Sequence, residues 1–340
     1  MSDGSANEVF GHLPSGEAVH RIRISGGGLT AYILTWGAVI QDLRLDGHQP
    51  PLVLGFETFE NYRLHSPYFG AVPGRCANRT GGGRFSIDGT TYQLELNEKG
   101  VTHLHGGSDG TAKRLWTLAV QSEDSLTLTI TDPDGRAGYP GNCEISCTYR
   151  LSGEGVLTVS YTAETDLPTI ANLCQHSYFN LDGGASALNH DIMIAADHYL
   201  PTDERQVPTG EVASVEGTVF DLREMTSMKR QTEGDKVLYD HNFCLSRERQ
   251  VKRSVAFVRS VDSGVSLEVR TTEPGIQFYS GWKLNVPVPG LEDRPYAAFA
   301  GFCLETQTWP DSINHEGFPK AILRPGEVLR QETDYVFMRS

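Results

Sequence analysis

Short runs of alternating apolar and polar residues recur along this chain and are typical of half-buried β-strands. The clearest runs cover residues 31–36, 84–87, 126–130, 157–161 and 265–269. Gly, Pro, Asn and Asp separate the runs, and these residues favour turns. Asp88-Gly89 predicts a two-residue hairpin, and residues 152–155 join two further runs in the same manner.

Helical periodicity is scarce, and only residues 56–64 and 221–230 predict short helices. Strands do not alternate with long helices, which argues against a parallel α/β fold. The pattern therefore predicts an all-β protein with large antiparallel sheets, arranged as a sandwich or a barrel. The glycines and prolines are spread along the chain rather than gathered in a linker, which predicts a single domain over residues 1–340.

Composition adds a strong acidic balance, with 29 Lys and Arg against 43 Asp and Glu and a net charge of −14. This charge argues against nucleic acid and anionic membranes as partners. No apolar run is long enough to span a bilayer, and the N-terminus lacks the features of a signal peptide. The six cysteines form no CxxC pair and predict buried free thiols. We expect a cytoplasmic protein.

A carboxylate interrupts the strand-like run near the C-terminus. Alternation along the strand places Phe302 and Leu304 on one face and Cys303, Glu305 and Gln307 on the other. A carboxylate is almost never fully buried without a partner. Glu305 therefore lies either on an exposed edge strand or in a polar cleft, where it can act as a general base.

Residues 172–181 resemble a second strand with an unusual polar face. Alternation there places His176, Tyr178 and Asn180 together, which fits either a ligand surface or a hydrogen-bonded core histidine.

Two histidines and two arginines supply further candidate groups. His103 and His105 share a strand face at a spacing that metal ligands use, with Asp109 nearby, but the metal signal is weak. Arg75 and Arg79 flank Asn78 in a Gly-rich setting, and an arginine fork suits either vicinal oxygens or a structural ion pair.

Asp240 and Gln277 are polar residues beside apolar runs, and each alone fits a structural role as well as a functional one. Together the candidate segments supply carboxylates, imidazoles, guanidiniums and amides, with aromatic residues close by in the sequence. A sugar presents the matching combination of ring hydroxyls and C–H faces.

These motifs resemble the aldose 1-epimerase (galactose mutarotase) family in order and over nearly the full length. The matching segments are residues 70–79, 83–93, 104–107, 138–142, 176–181, 239–243, 271–279 and 303–307, with Pro310-Asp311, Asn314-His315 and residues 323–327. The resemblance implies a large antiparallel β-supersandwich with few short helices. It also implies an isomerase that interconverts the α and β anomers of free aldohexoses, chiefly galactose and glucose, with no cofactor and no metal.

Residue by residue, the resemblance implies that Glu305 is the general base and His176 the general acid. It implies sugar binding by a further set: His105, Arg79, Asn78, Tyr178, Asp240 and Gln277. Departures from the family pattern at residues 80–83, 111–112, 175 and 281–300 bear on sugar preference. Gln175 replaces the usual Asn before the catalytic His, and residues 281–300 form a Pro-rich loop.

Three alternatives remain open at this point. A glycoside hydrolase needs two suitably spaced carboxyl groups, and Asp240 with Glu305 is the pair to check. A non-catalytic carbohydrate-binding protein can use the same scaffold. A relative acting on hexose 6-phosphates needs an extra cationic cluster at the rim of the site. We expect a small-molecule sugar as the only partner, and a monomer or weak dimer.

Overall fold

The computed structural model describes residues 7–232 and 235–339. Two predictions concern residues 1–6, which lie outside those ranges: the domain bounds of 1–340 and the absence of a signal peptide. The prediction of an all-β, antiparallel fold is confirmed, because the paired strands of the described residues run antiparallel in every named sheet.

The first strands are β1 (Asn7–His12), β2 (Ala18–Gly26), β3 (Leu29–Leu34), β4 (Ile40–Leu45), β5 (Arg79–Gly81), β6 (Arg84–Ile87), β7 (Thr90–Gln93), β8 (Thr102–Leu104), β9 (Thr117–Gln121), β10 (Ser125–Asp132), β11 (Cys143–Ser152), β12 (Val156–Thr165), β13 (Thr169–Ile170) and β14 (Tyr178–Phe179). The remaining strands are β15 (His190–Ile194), β16 (His198–Tyr199), β17 (Ala213–Ser214), β18 (Thr226–Ser227), β19 (Gln231–Thr232), β20 (Asp235–Lys236), β21 (Asp240–Cys244), β22 (Arg253–Ser260), β23 (Val265–Thr271), β24 (Gly275–Tyr279), β25 (Phe302–Gln307), β26 (Ile322–Leu323) and β27 (Leu329–Arg339). Helix α1 covers Phe59–His65, and short 3₁₀ helices cover Thr111–Lys113, Arg136–Gly138, Ala187–Asn189, Leu291–Asp293 and Ser312–Asn314.

Two large sheets enclose the main core. The larger has nine strands in the order β18-β15-β22-β23-β27-β12-β11-β10-β9, and the other has six in the order β14-β25-β24-β21-β16-β17. Their facing apolar side chains, such as Leu267 and Tyr335 from the first and Phe278 and Leu304 from the second, belong to one buried cluster. Burial of such contiguous apolar surface is the dominant favourable contribution to folding.

Strand β25 behaves as its sequence predicts. Phe302 and Leu304 point into the main core, and Cys303 packs in a separate buried cluster on the opposite side of the sheet. Glu305 and Gln307 are nevertheless almost fully buried. The exposed-edge interpretation of Glu305 is therefore wrong, and because Glu305 also lines a pocket, the cleft interpretation is correct.

The predicted hairpins are confirmed. Asp88-Gly89 joins β6 to β7 with Ile87 opposite Thr90, and residues 152–155 join β11 to β12.

All six cysteines are free thiols; five are buried and Cys244 is half-buried. No helix among the described residues is both long enough and apolar enough to cross a membrane.

One of the two predicted helices is wrong. Residues 56–64 contain most of α1, which begins after Thr58, whose hydroxyl accepts a hydrogen bond from the Asn61 amide at 3.4 Å. Residues 221–230 form turns and strand β18 instead. The Asp221 carboxylate pairs with Arg223, and Arg230 donates to the carbonyls of Val219 and Asp221, and these local contacts replace a helical ladder.

Residues 172–181 are a strand only at β14. Upstream, their backbone pairs with residues 70–77 through separate bonds rather than a ladder: His176 donates to Ala71 at 2.9 Å, and Gly70 donates to the His176 carbonyl at 3.0 Å. The prediction that His176, Tyr178 and Asn180 share one face of a strand is thus wrong. His176 and Tyr178 still meet by stacking, whereas Asn180 donates to the Gly184 and Ala300 carbonyls.

Candidate active site

A pocket of about 310 Å³ lies beside β25. Its lining includes all the predicted site residues except Gln277: Asn78, Arg79, His105, His176, Tyr178, Asp240 and Glu305. These residues come from five separate regions of the sequence, so the fold brings together groups that the sequence only suggested. Whether each one binds or converts a ligand stays a prediction.

Glu305 and His176 face each other in this pocket. The His176 Nε2 atom lies 3.8 Å from Glu305 Oε1, and the two residues are 5 % and 2 % exposed. Glu305 is held by β25, where it pairs with Gln277 of β24. The His176 ring lies between two aromatic rings, with centroid distances of 5.2 Å to Tyr178 and 5.8 Å to Tyr68. The Tyr178 hydroxyl donates to the Pro67 carbonyl, which fixes that ring against the imidazole.

Burial displaces the pKa values of the pair in opposite directions. Desolvation, reinforced by the nearby Asp240 carboxylate, raises the pKa of Glu305 to about 8. Desolvation lowers the pKa of His176 to about 4. At neutral pH these shifts give the pair one proton, on Glu305, and a neutral His176. The two groups interact closely, so this proton belongs to the pair.

His105 presents a hydrogen-bond donor to the pocket. Strands β5 and β8 pair Arg79 with Leu104, which brings Asn78 beside His105. The Asn78 amide donates to His105 Nδ1 at 3.1 Å. Burial and the proximity of His176 lower the pKa of His105 well below its usual range, so the ring is neutral. With Nδ1 accepting, the ring carries its proton on Nε2.

The predicted face shared by His103 and His105 is wrong. His105 has a φ of +53°, so the alternation of the strand ends before it. His103 points away from the pocket, where its ring nitrogens contact the Glu95 carbonyl at 2.7 Å and the Tyr139 hydroxyl at 2.6 Å. Asp109 pairs with Arg136 on the surface. His103 and Asp109 thus have structural partners.

Arg79 is fixed at the pocket wall by an ion pair. Its guanidinium donates to both carboxylate oxygens of Glu98 at 2.8 and 2.9 Å, and one nitrogen also contacts Gln206 at 3.2 Å. Arg75, by contrast, lies in the interior and pairs with Asp132. The ion-pair interpretation therefore holds for both arginines, and only Arg79 borders the pocket.

A connected network holds Asp240. Gln277 and Gln206 donate to its carboxylate oxygens at 2.9 and 2.8 Å, and the Lys283 ammonium lies 3.4 Å away. Lys283 also donates to Gln206. Gln277 thus lies behind Asp240 rather than in the pocket lining. A direct role for Gln277 in sugar binding stays a prediction, and its observed contact orients Asp240.

Sequence reasoning missed several residues of this site. Tyr68, Glu98 and Lys283 line the pocket, and Gln206 bridges Lys283 to Asp240. Only Lys283 had a signal in the sequence, because it lies in the Pro-rich loop that departs from the family pattern.

One group of side chains in the described part of the chain has a spacing that suits a metal ion. The candidate donor atoms of His105, His176 and Glu305 lie within 4.8 Å of one another. A metal-bound histidine normally donates its other N–H to an acceptor. His105 instead accepts the Asn78 amide at Nδ1, which directs an N–H rather than a lone pair toward the pocket. The donor set therefore does not fit a metal.

Fold and pocket together define a class: an all-β protein in which a buried carboxylate and a buried imidazole face each other in a pocket. Comparison with known proteins identifies the family. The model of the aldose 1-epimerase family matches residues 20–336. The chain belongs to the aldose 1-epimerase family.

Curated relatives and solved structures agree with this assignment. The chain is 44 % identical to galactose mutarotase from Rattus norvegicus over 97 % of both chains. It is 36 % identical to aldose 1-epimerase from Escherichia coli K12 over 98 % of this chain and 99 % of the relative. A crystal structure of an aldose epimerase homologue from C. elegans superposes with a TM-score of 0.89 at 28 % identity, covering 95 % of this chain and 99 % of that one.

Proposed function

We propose that this protein is an isomerase that interconverts the α and β anomers of free aldohexoses, with galactose and glucose as substrates. The observation that carries the proposal is the approach of Glu305 to His176, 3.8 Å apart in the pocket of a family member. The names of the relatives, galactose mutarotase and aldose 1-epimerase, support the reaction and the sugar.

The reaction requires one base and one acid. Glu305 takes the proton of the C1 hydroxyl while His176 gives a proton to the ring oxygen. The C1–O5 bond breaks, and C1 becomes a free aldehyde. Rotation about the C1–C2 bond and closure on the other face give the other anomer, with both protons returned. A positioned acid or base contributes about 10²–10⁴-fold to such a rate.

The single proton of the pair connects this chemistry to the pKa shifts. Ring opening starts with the proton on His176 and ends with a proton on Glu305, which is the arrangement that burial favours. A bound cyclic sugar donates its C1 hydroxyl to Glu305, and that hydrogen bond favours the carboxylate form. Arg79 acts in the same direction, because its charge lowers the pKa of Glu305. Substrate binding thereby moves the proton toward His176.

The other pocket groups suit ring hydroxyls. The Nε2–H of His105 is a donor beside the pair, and it can stabilise developing charge on the ring oxygen. Arg79 and Asp240 offer a donor and an acceptor that are already fixed by neighbouring side chains. Such preorganisation limits the entropy lost on binding.

The geometry favours this function over the alternatives. Glu305 faces an imidazole, whereas Asp240 is engaged by Gln277, Gln206 and Lys283 and is not presented as a second catalytic acid. Two cations at the pocket, Arg79 and Lys283, are each paired with a carboxylate, which disfavours a phosphorylated sugar. The retained acid/base pair argues against a purely binding function. Cytoplasmic location and a monomer or weak dimer stay predictions.

Polarimetry on freshly dissolved α-galactose and α-glucose tests the proposal. We expect the protein to accelerate the approach to the equilibrium rotation with at least one of these sugars. No acceleration with either sugar would contradict the proposal.

Glu305→Gln tests the assignment of the base. This isosteric change should lower kcat by about 10²–10⁴-fold or more, while calorimetry still detects sugar binding. The matched control is Glu316→Gln, because Glu316 is exposed on the surface and lies outside the pocket lining. A Glu305→Gln protein that keeps most of its activity would show that the base lies elsewhere.

A further inference from the structure

Two buried thiols contact the acid/base pair. Cys174 Sγ donates to Glu305 Oε2 at 3.5 Å, and Cys303 Sγ lies 3.6 Å from His176 Nδ1. Both thiols are inaccessible to solvent, with 0 % exposure. Cys174 lies outside the lining of the pocket, so it approaches the carboxylate from the protein side and leaves the other oxygen to face His176.

Among the described residues, Cys174 is the hydrogen-bond donor that contacts the Glu305 carboxylate. Over residues 7–232 and 235–339, the only hydrogen bond to this carboxylate comes from the Cys174 thiol. A buried carboxylate ordinarily needs several such bonds. The other titratable groups that act on or face Glu305 are His176, His105, Arg79, Asp240, Cys303, Tyr178, Tyr279 and Tyr335.

We propose that Cys174 is a positioning residue for Glu305: its thiol fixes the orientation of the carboxylate and stabilises the charged form that acts as base. The inference rests on the proposed function and deepens it. Through Glu305, Cys174 sets the fraction of protein molecules in which the proton of the pair lies on His176. That fraction is the enzyme that is ready to open a sugar ring.

The thiol is suited to this task because it remains protonated. Burial and the adjacent carboxylate raise the pKa of Cys174 well above its usual range, so the sulfur keeps the hydrogen that it donates. A donor to the charged form lowers the pKa of an acid, and here it opposes the upward effects of burial and of Asp240 on Glu305. A thiol is a weak donor, so the carboxylate is stabilised without being locked in the ionised state.

Removal of the thiol should change the pH dependence in a defined direction. Loss of the last proton of the pair defines the alkaline limb of kcat/KM, because an enzyme without that proton lacks its acid. Cys174→Ala removes the donor and raises the pKa of Glu305. We expect the alkaline limb to move up by about half to one pH unit and the plateau rate to fall by ~3–10-fold.

Cys174→Ser provides the conservative comparison. A hydroxyl is a stronger donor than a thiol, so the alkaline limb should lie below its position in the parent protein, with activity largely restored relative to Cys174→Ala. Cys143→Ala is the matched control: Cys143 is equally buried, but it belongs to the main core and lies outside the pocket lining. We expect that control to leave the acidic and alkaline limbs of the kcat/KM profile unchanged.

Infrared titration of the carboxyl group supplies a readout that is independent of turnover. In protein labelled with ¹³C-glutamate, the band that disappears in Glu305→Gln reports the protonation of Glu305, and Cys174→Ala should shift its midpoint upward. An unchanged midpoint and an unchanged limb in folded Cys174→Ala would overturn the inference. If Cys174→Ala does not fold, a Cys174→Ser midpoint identical to that of the parent overturns it. An inactive parent protein would instead reject the proposed function, and the infrared midpoint would still test the contact.

Discussion

At the scale of single residues, Glu305 and His176 are best understood as one unit that holds one proton. Desolvation acts on both, and it favours the neutral carboxyl and the neutral imidazole. The stacking of Tyr68 and Tyr178 on the imidazole excludes water from that ring. Moving the proton from Glu305 to His176 converts two neutral groups into a buried ion pair, so the hydrogen bonds of a bound sugar must offset the cost of that burial.

The pH dependence of kcat/KM follows from this shared proton. Below about pH 4 a second proton enters at His176 and removes the base, and above about pH 8 the last proton leaves Glu305 and removes the acid. The predicted profile is a bell with a plateau between these limits, measured by initial mutarotation rates corrected for buffer catalysis. A rate that continues to rise through pH 8 would show that the unprotonated enzyme is active.

At the scale of elements, regular strands were predictable and the irregular segments at the pocket were not. Alternation correctly assigned both faces of β25, because a strand with paired neighbours on each side keeps its period of two. Alternation failed at His105, whose left-handed backbone conformation turns the chain. It also failed upstream of Tyr178, where irregular backbone bonds position His176. The site depends on these departures from regular structure.

Gly106→Ala tests the turn that positions His105. Gly106 has a φ of +85°, and an added Cβ would lie 1.7 Å from the Gly74 carbonyl oxygen. The backbone would have to move, so we expect a loss of about 3 kcal/mol or more in the free energy of unfolding, with a large fall in activity.

Gly100→Ala is the matched control for that change. Gly100 has a similar φ of +71°, but an added Cβ there meets no atom within 4 Å. It should lose only about 1 kcal/mol from the unfavourable φ. Chemical denaturation measures the free energy of unfolding of both variants. Equal losses of that free energy would show that the close approach of Gly74 to Gly106 does not contribute to stability.

The loop over residues 281–300 contributes Lys283 to the pocket, and this contribution depends on long-range contacts that the sequence does not reveal. Lys283→Met removes a partner of Asp240 and Gln206. We expect KM to rise about 2–10-fold with kcat nearly unchanged, as for the loss of an interaction made equally in the ground and transition states. Lys229→Met on the exposed surface is the control. A fall in kcat at constant KM would assign Lys283 a part in the chemistry instead.

At the scale of the whole molecule, one apolar cluster extends from Ile22 to Phe337 and includes side chains of both large sheets. This continuity supports the prediction of a single domain, which remains a prediction. The fold class could be predicted from local alternation and from the lack of helical periodicity. The sheet orders could not, because they depend on pairings such as β12 with β27, which are far apart in the sequence.

A buried ion pair connects distant parts of the fold. Arg75, with 0 % exposure, donates to the Asp132 carboxylate, the Pro140 carbonyl and the Thr169 hydroxyl. Among the described residues, Arg75→Met leaves Asp132 with one cationic partner, Arg114, and should cost ~3–5 kcal/mol of unfolding free energy. Arg136→Met breaks only an exposed pair and should cost ~0–1 kcal/mol. Equal urea midpoints for the two variants would contradict this account.

The central claim is that Glu305 and His176 open and close one sugar ring without displacing the C1 oxygen. Exchange NMR between the α and β signals of galactose, run in H₂¹⁸O, tests it most directly. We predict exchange that depends on the protein and is lost in Glu305→Gln, with no ¹⁸O entering C1 beyond the protein-free rate. No acceleration of exchange, or one ¹⁸O incorporated per turnover, would contradict the claim.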